Sequence, residues 1–166
     1  MAFDQLLHRD VSVGHSSADL RSSFTAEELR ELDAAKIKVT PSTERTALDL
    51  VEAWAANVAK IDADRALDPA DRSVWTEHDL AGALFVRDFL HQALNDLPEH
   101  LREKMQPFVT DVDDHFKSYT VDDSGQRMAG IAAIDLVGRR WWWFRVPDSG
   151  PIAVELSTYP DMPPAR

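Results

Sequence analysis

Residues 76–97 read TEHDLAGALFVRDFLHQALNDL, and their apolar side chains wrap most of a helix instead of marking one stripe. Leu80, Ala83, Leu84, Arg87, Leu90, Ala93, Leu94 and Leu97 recur at three- and four-residue steps, and Phe85, Val86 and Phe89 extend the surface around the back. Only Glu77, Asp88, His91, Gln92 and Asn95 form a polar strip. A helix apolar over so much of its circumference is covered on several sides, which makes this the central helix of a bundle. Thr76 followed by Glu77 and Asp79 marks its start, and Asp96-Leu97-Pro98-Glu99 marks its end and the start of the next helix.

Working outward from it, helices are expected over about 26–36, 43–64, 77–96 and 98–115. The first rests on the capping box Thr25-Ala26-Glu27-Glu28, with Leu29 and Leu32 turned inward. The second follows the break at Val39-Thr40-Pro41 and carries the seam Ala47, Leu50, Val51, Trp54, Val58 and Ile61. The last carries Leu101, Met105, Phe108, Val109 and Val112 on one side, and Pro107 predicts a kink or break within it. His115 to Val121 fits a helix end or a strand. Beyond the turn Asp122-Asp123-Ser124-Gly125, strands are expected over about 127–137, 140–146 and 151–158. Gly138-Arg139 has the form of a type II′ hairpin turn between the first two. The expected fold class is α+β: mainly a helical bundle of three long helices plus a short one. A C-terminal three- or four-stranded antiparallel β meander completes it. Residues 1–23, polar and Ser-rich, read as an N-terminal arm, and 24–166 as a single domain.

Composition narrows the function classes. A net charge of −11 opposes binding to nucleic-acid phosphates and to anionic membranes, and suits a protein partner, a basic one in particular. The absence of cysteine removes disulfides, thiolate catalysis and thiolate metal sites. No basic-then-apolar leader is read at the start, and no apolar run approaches the ~18 residues that span a bilayer. A soluble cytoplasmic protein is expected. Thirteen Arg among 18 basic residues suggests a GC-rich bacterial coding sequence. Gly-x-Ser-x-Gly, Gly-x-Gly-x-x-Gly and Walker A patterns are all missing, so neither a nucleophile elbow nor a familiar phosphate loop is indicated.

The least average stretch is Arg139-Arg140-Trp141-Trp142-Trp143-Phe144-Arg145. On a strand, Trp142, Phe144 and Val146 point one way and Trp141, Trp143 and Arg145 the other. Packing the first set on the bundle leaves Arg139, Trp141, Trp143, Arg145 and Glu155 as the partner- or ligand-binding candidates. Two readings of the outer tryptophans stay open. A loop or the arm can cover them, or they form an aromatic-Arg patch of the composition enriched at binding hot spots. Such a patch can also pair with its two-fold mate and give a homodimer. No metal site and no cofactor are expected. Asp88-x-x-His91 and Asp111-x-x-x-His115 each put two ligand types on one helix face, but they lack the Glu-x-x-His pattern of carboxylate-bridged metal bundles. The expected function is that of an acidic intracellular protein-binding protein: an inhibitor, immunity-like protein or adaptor. The alternative is a small-molecule-binding protein or enzyme with a Trp-lined pocket between hairpin and central helix.

Overall fold

A computed structural model of the chain describes residues 17–161. Its first half runs α1 (Ser17–Ser22), α2 (Ala26–Ala34), β1 (Lys36–Thr40), β2 (Thr43–Thr46), α3 (Ala47–Asp64) and α4 (Glu77–Asp96). The second half runs α5 (Glu99–Ser118), β3 (Thr120–Asp122), α6 (Arg127–Ala132), a 3-10 turn (Trp141–Phe144), β4 (Arg145–Pro147) and α7 (Pro151–Leu156). The class is α+β, dominated by helix, with small antiparallel strand pairs. Residues 1–16 of the expected arm lie outside the described residues; its last part is α1, whose Leu20 is buried in the core.

Helix α4 holds the centre. Leu80, Ala83, Leu84, Val86 and Leu90 are wholly buried, and the helix contacts α3, β1, α6, the 3-10 turn and α7. The backbone N–H of Thr76 donates to the Asp79 carboxylate at 2.9 Å, fixing the N-terminus. Leu97, extended ahead of Pro98, ends the helix because a residue before proline is driven out of the helical region. Among the described residues, no helix is long and apolar enough to cross a membrane.

Helix α3 starts at Ala47, four residues later than expected from Thr43. Thr46 is its cap: the Thr46 N–H donates to Asp49 Oδ2 at 2.9 Å, and the Asp49 N–H returns to Thr46 Oγ1 at 3.1 Å. Residues 43–46 are freed to pair with β1 as a hairpin around Pro41-Ser42, with Lys36 opposite Thr46 and Thr40 opposite Thr43. Ile37 and Val39 alternate inward along β1, so the hairpin adds a flap of core. Helix α5 passes through Pro107 unbroken. Pro107 and Glu103, whose carbonyl loses its partner there, are both exposed, so that carbonyl faces water.

The C-terminal meander is corrected. The stretch 127–137 forms α6 and a loop, 140–146 forms the 3-10 turn and the start of β4, and 151–158 opens as helix α7. Of these stretches only Arg145–Pro147 forms a strand, and it pairs with β3, not with a neighbouring hairpin arm (Asp122 opposite Arg145, Thr120 opposite Pro147). Gly138 is not the first central residue of a hairpin. Its φ of +74° places it third in a turn closed by the Arg139 N–H donating to the Leu136 carbonyl at 3.0 Å. Pro151 occupies the first turn of α7, where its missing N–H costs nothing. Gly150 precedes it with φ +87°, and a Cβ there would lie 2.5 Å from the Arg65 Cα. This loop is therefore pressed directly onto the end of α3.

Candidate functional site

The Trp-rich segment docks on the polar strip of α4, and a single carboxylate receives it. Trp142 Nε1 donates to Asp88 Oδ1 at 2.8 Å, and Trp143 Nε1 donates to both Asp88 oxygens at 3.0 Å. Arg139 Nη1 donates to Asp88 Oδ2 at 3.0 Å, with its guanidinium 5.6 Å from the Trp143 ring centre. Consecutive residues on a strand point to opposite faces, so two neighbouring indoles cannot both reach one acceptor from extended backbone. A 3-10 turn, at three residues per turn, brings them to adjacent faces. Asp88 and the turn thus specify one another. The expected register, Trp142 inward and Trp143 outward, is corrected: both are buried, and Trp143 packs edge-on against Phe85 at 4.9 Å between centroids.

The residue of α4 just before Asp88 carries a second ionic layer. Arg87 forks onto Asp113 of α5, with Nε to Oδ1 and Nη2 to Oδ2 both at 2.9 Å, and Trp54 Nε1 of α3 adds a bond to Oδ1 at 2.9 Å. Arg87 and Asp113 are both buried. Arg87 Nη1 has no hydrogen-bond partner among the described residues, but the guanidinium lies 4.1 Å from the Trp142 ring centre, whose negative face attracts it. A continuous polar strut runs from α3 through α5 and α4 to the Trp turn.

Trp141 differs from its neighbours. It is half-buried, stands edge-on to Trp142 at 5.6 Å and packs on Phe116 at 6.3 Å. Lys117 Nζ sits 4.3 Å from its ring centre. Arg145 is anchored beside Lys117 by neutral oxygens, donating through Nε to Thr120 Oγ1 at 2.9 Å and through Nη2 to the carbonyls of Thr120 and Lys117. Arg140 is exposed. Of the sequence candidates, Arg139 and Trp143 meet at Asp88, while Trp141 and Arg145 lie around Lys117. Glu155 is exposed on α7, and among the described residues no hydrogen bond or ion pair joins it to the group.

The weak metal candidates are dispersed. Asp88 is filled by the indoles and Arg139. The His91 Nε2 is 3.1 Å from Asn95 Nδ2, and its ring lies 5.8 Å from Trp142. Burial lowers the His91 pKa, and the nearby charges of Arg140 and Arg87 lower it further. Asp111 is exposed, and His115 pairs with Asp62 at 2.9 Å. Among the described residues, no group of three or more His, Asp or Glu side chains is arranged to hold a metal.

That His115–Asp62 pair belongs to a clasp at the C-terminal end of α3. Arg65 bridges Asp62 at 2.6 Å and Asp148 at 2.9 Å, and Ser149 Oγ donates to Asp148 at 2.7 Å. Burial pushes the Asp62 pKa up, but the bonds to His115 and Arg65 outweigh it and hold the carboxyl below its ordinary range. Tyr119, whose hydroxyl donates to the Val58 carbonyl at 2.7 Å, is pushed well up by burial and then by Asp62. The serine hydroxyl bonds a carboxylate that is itself tied to an arginine, so this is a fastening and not a nucleophile–base pair.

Sequence reasoning missed Asp88 as an acceptor and the Arg87–Asp113 pair. The signal for the pair was present. Arg87 falls on the apolar line of α4 and Asp113 on the inward line of α5, and charges in such places require partners. Compared with known protein families, with curated proteins and with solved structures, the chain matches none.

Proposed function

We propose that the chain is a non-enzymatic, acidic intracellular protein-binding protein, an inhibitor or adaptor, that presents the rim of its Trp-rich turn to a partner. One observation supports this reading above the rest. The two carboxylates at the centre are taken up by internal partners, Asp88 by two indoles and an arginine and Asp113 by an arginine and an indole. Groups so occupied hold the turn in place and are not poised to move protons. Trp141 and Arg140, of side-chain types that dominate binding hot spots, are left at the edge beside Lys117. Trp143 drops out of the contact surface and becomes its support. A pull-down from the native host with wild type and with Trp141→Ala tests the reading. The wild type should retain a stoichiometric partner, and a folded Trp141→Ala, verified by its thermal melt, should lose it. A wild-type chain that retains nothing rejects the proposal.

A further inference from the structure

We propose that the rim around Trp141 receives an acidic segment of the partner protein, with carboxylates held by Arg140, Lys117 and Arg145 and an adjoining side chain lying on the Trp141 ring. This rests on the protein-binding reading and adds to it the chemistry of what is bound. Its basis is charge complementarity at a local exception. The chain as a whole carries −11, yet Lys117 lies on the Trp141 ring, Arg145 bonds the Lys117 carbonyl, and Arg140 directly precedes Trp141 in the chain. Arg140 is exposed and has no hydrogen bond or ion pair to a side chain among the described residues. Among the described residues Arg145 is hydrogen-bonded only to neutral oxygens of Thr120 and Lys117, which set its position without forming an ion pair. Lys117 meets Asp114 only at 4.0 Å, with both side chains about half exposed or more (47% and 67%), and such a pair is weak in water.

The footprint favours a short acidic peptide over a nucleic acid. Asp114 lies one helical turn before Lys117, and Asp122 stands opposite Arg145 in the strand register, so carboxylates bracket the patch. A long phosphate chain would run into them, whereas one or two carboxylates fit between and can take an arginine fork. The aromatic face supplies apolar contact at low entropic cost beside those ion pairs.

The test is a titration of the full ¹⁵N-labelled chain with capped hexaglutamate, hexalysine and a short oligothymidylate, read at the indole and arginine side-chain resonances. Hexaglutamate should shift the Trp141 indole and the Arg145 Nε–H. The Trp54 indole, sealed on Asp113, should stay still and report an intact fold. Lys117→Glu combined with Arg140→Glu should weaken the response by about tenfold or more, and added salt should weaken it in the wild type. An unmoved Trp141, an equal response to hexalysine, or an unaffected double variant would overturn the proposal. A stronger response to oligothymidylate would overturn it in favour of nucleic acid. If hexaglutamate fails while Trp141→Ala still loses the native partner, the acidic chemistry is wrong and the protein-binding reading stands. If both fail, both fall.

Discussion

Asp113 and Asp88 each bind an arginine and tryptophan indole N–H groups, but they do so in different surroundings. The Asp113 and Arg87 side chains are 10% and 6% exposed, against 25% and 34% for Asp88 and Arg139. Sealing a pair from water raises both its attraction and the cost of breaking it, because a lost partner leaves a charge with no solvent to accept it. At the margin, water replaces whatever is removed. The inner pair therefore joins α3, α4 and α5 permanently, while the outer one can seat a turn whose edge meets solvent. Similar chemistry fixes the core in one place and displays a surface in the other.

The sharpest way to break this contrast is Arg87→Ala. It leaves Asp113 buried with only the Trp54 indole, and the expected loss is about 3–5 kcal/mol by denaturant unfolding. A loss below about 1 kcal/mol would mean that water already reaches Asp113 and that the two carboxylates are alike. Asp88→Ala should cost less, about 1–3 kcal/mol, because it orphans two buried indole donors while leaving Arg139 free to turn to solvent. A cost equal to that of Arg87→Ala would remove the distinction between sealed and marginal. The smallest effect concerns His91. Its NMR titration midpoint should lie below the ordinary 6.5 and rise toward it in Arg140→Ala. Because protonation is disfavoured in the folded chain, the unfolded chain takes the proton first as pH falls, so this group erodes stability on the acid side of that value. A midpoint indifferent to Arg140 would place that arginine's charge away from the rim.

How much of this was legible depended on where the deciding interaction lay. The limits of α4 came from local rules, an N-terminal capping motif and a leucine before proline, and those rules act within a few residues. The start of α3 was missed because the Thr46 cap is decided by pairing of Thr43–Thr46 with Lys36–Thr40, a contact outside the helix. The alternation of Ile37 and Val39 was the available signal. The Trp-rich segment was read as a strand because aromatic residues favour strands on average, yet that preference reports packing on a pleated surface more than backbone bias. Here the packing surface is one carboxylate 54 and 55 residues away, and it selects a tight turn. Pro151 at a helix start and the alanines of 127–133 were helix signals that the strand reading did not use. Trp141, Arg139 and Arg145 were picked out by composition alone; which of them faces water was decided by Asp88.

The spacing of those contacts also sets an order on how the molecule can be made. Trp142 and Trp143 reach back 54 and 55 residues to Asp88, Arg65 meets Asp148 across 83, and the Tyr159 hydroxyl meets Glu77 across 82. A chain emerging from the ribosome can assemble α3, α4 and α5 while these later partners are still inside the exit tunnel. During that interval Phe85 and the Asp88 carboxylate stand uncovered, so the nascent chain carries an open apolar flank that the finished protein hides. The last quarter of the sequence is thus a closing cover, and a truncation that removes it would leave Phe85 and the apolar flank of α4 outward.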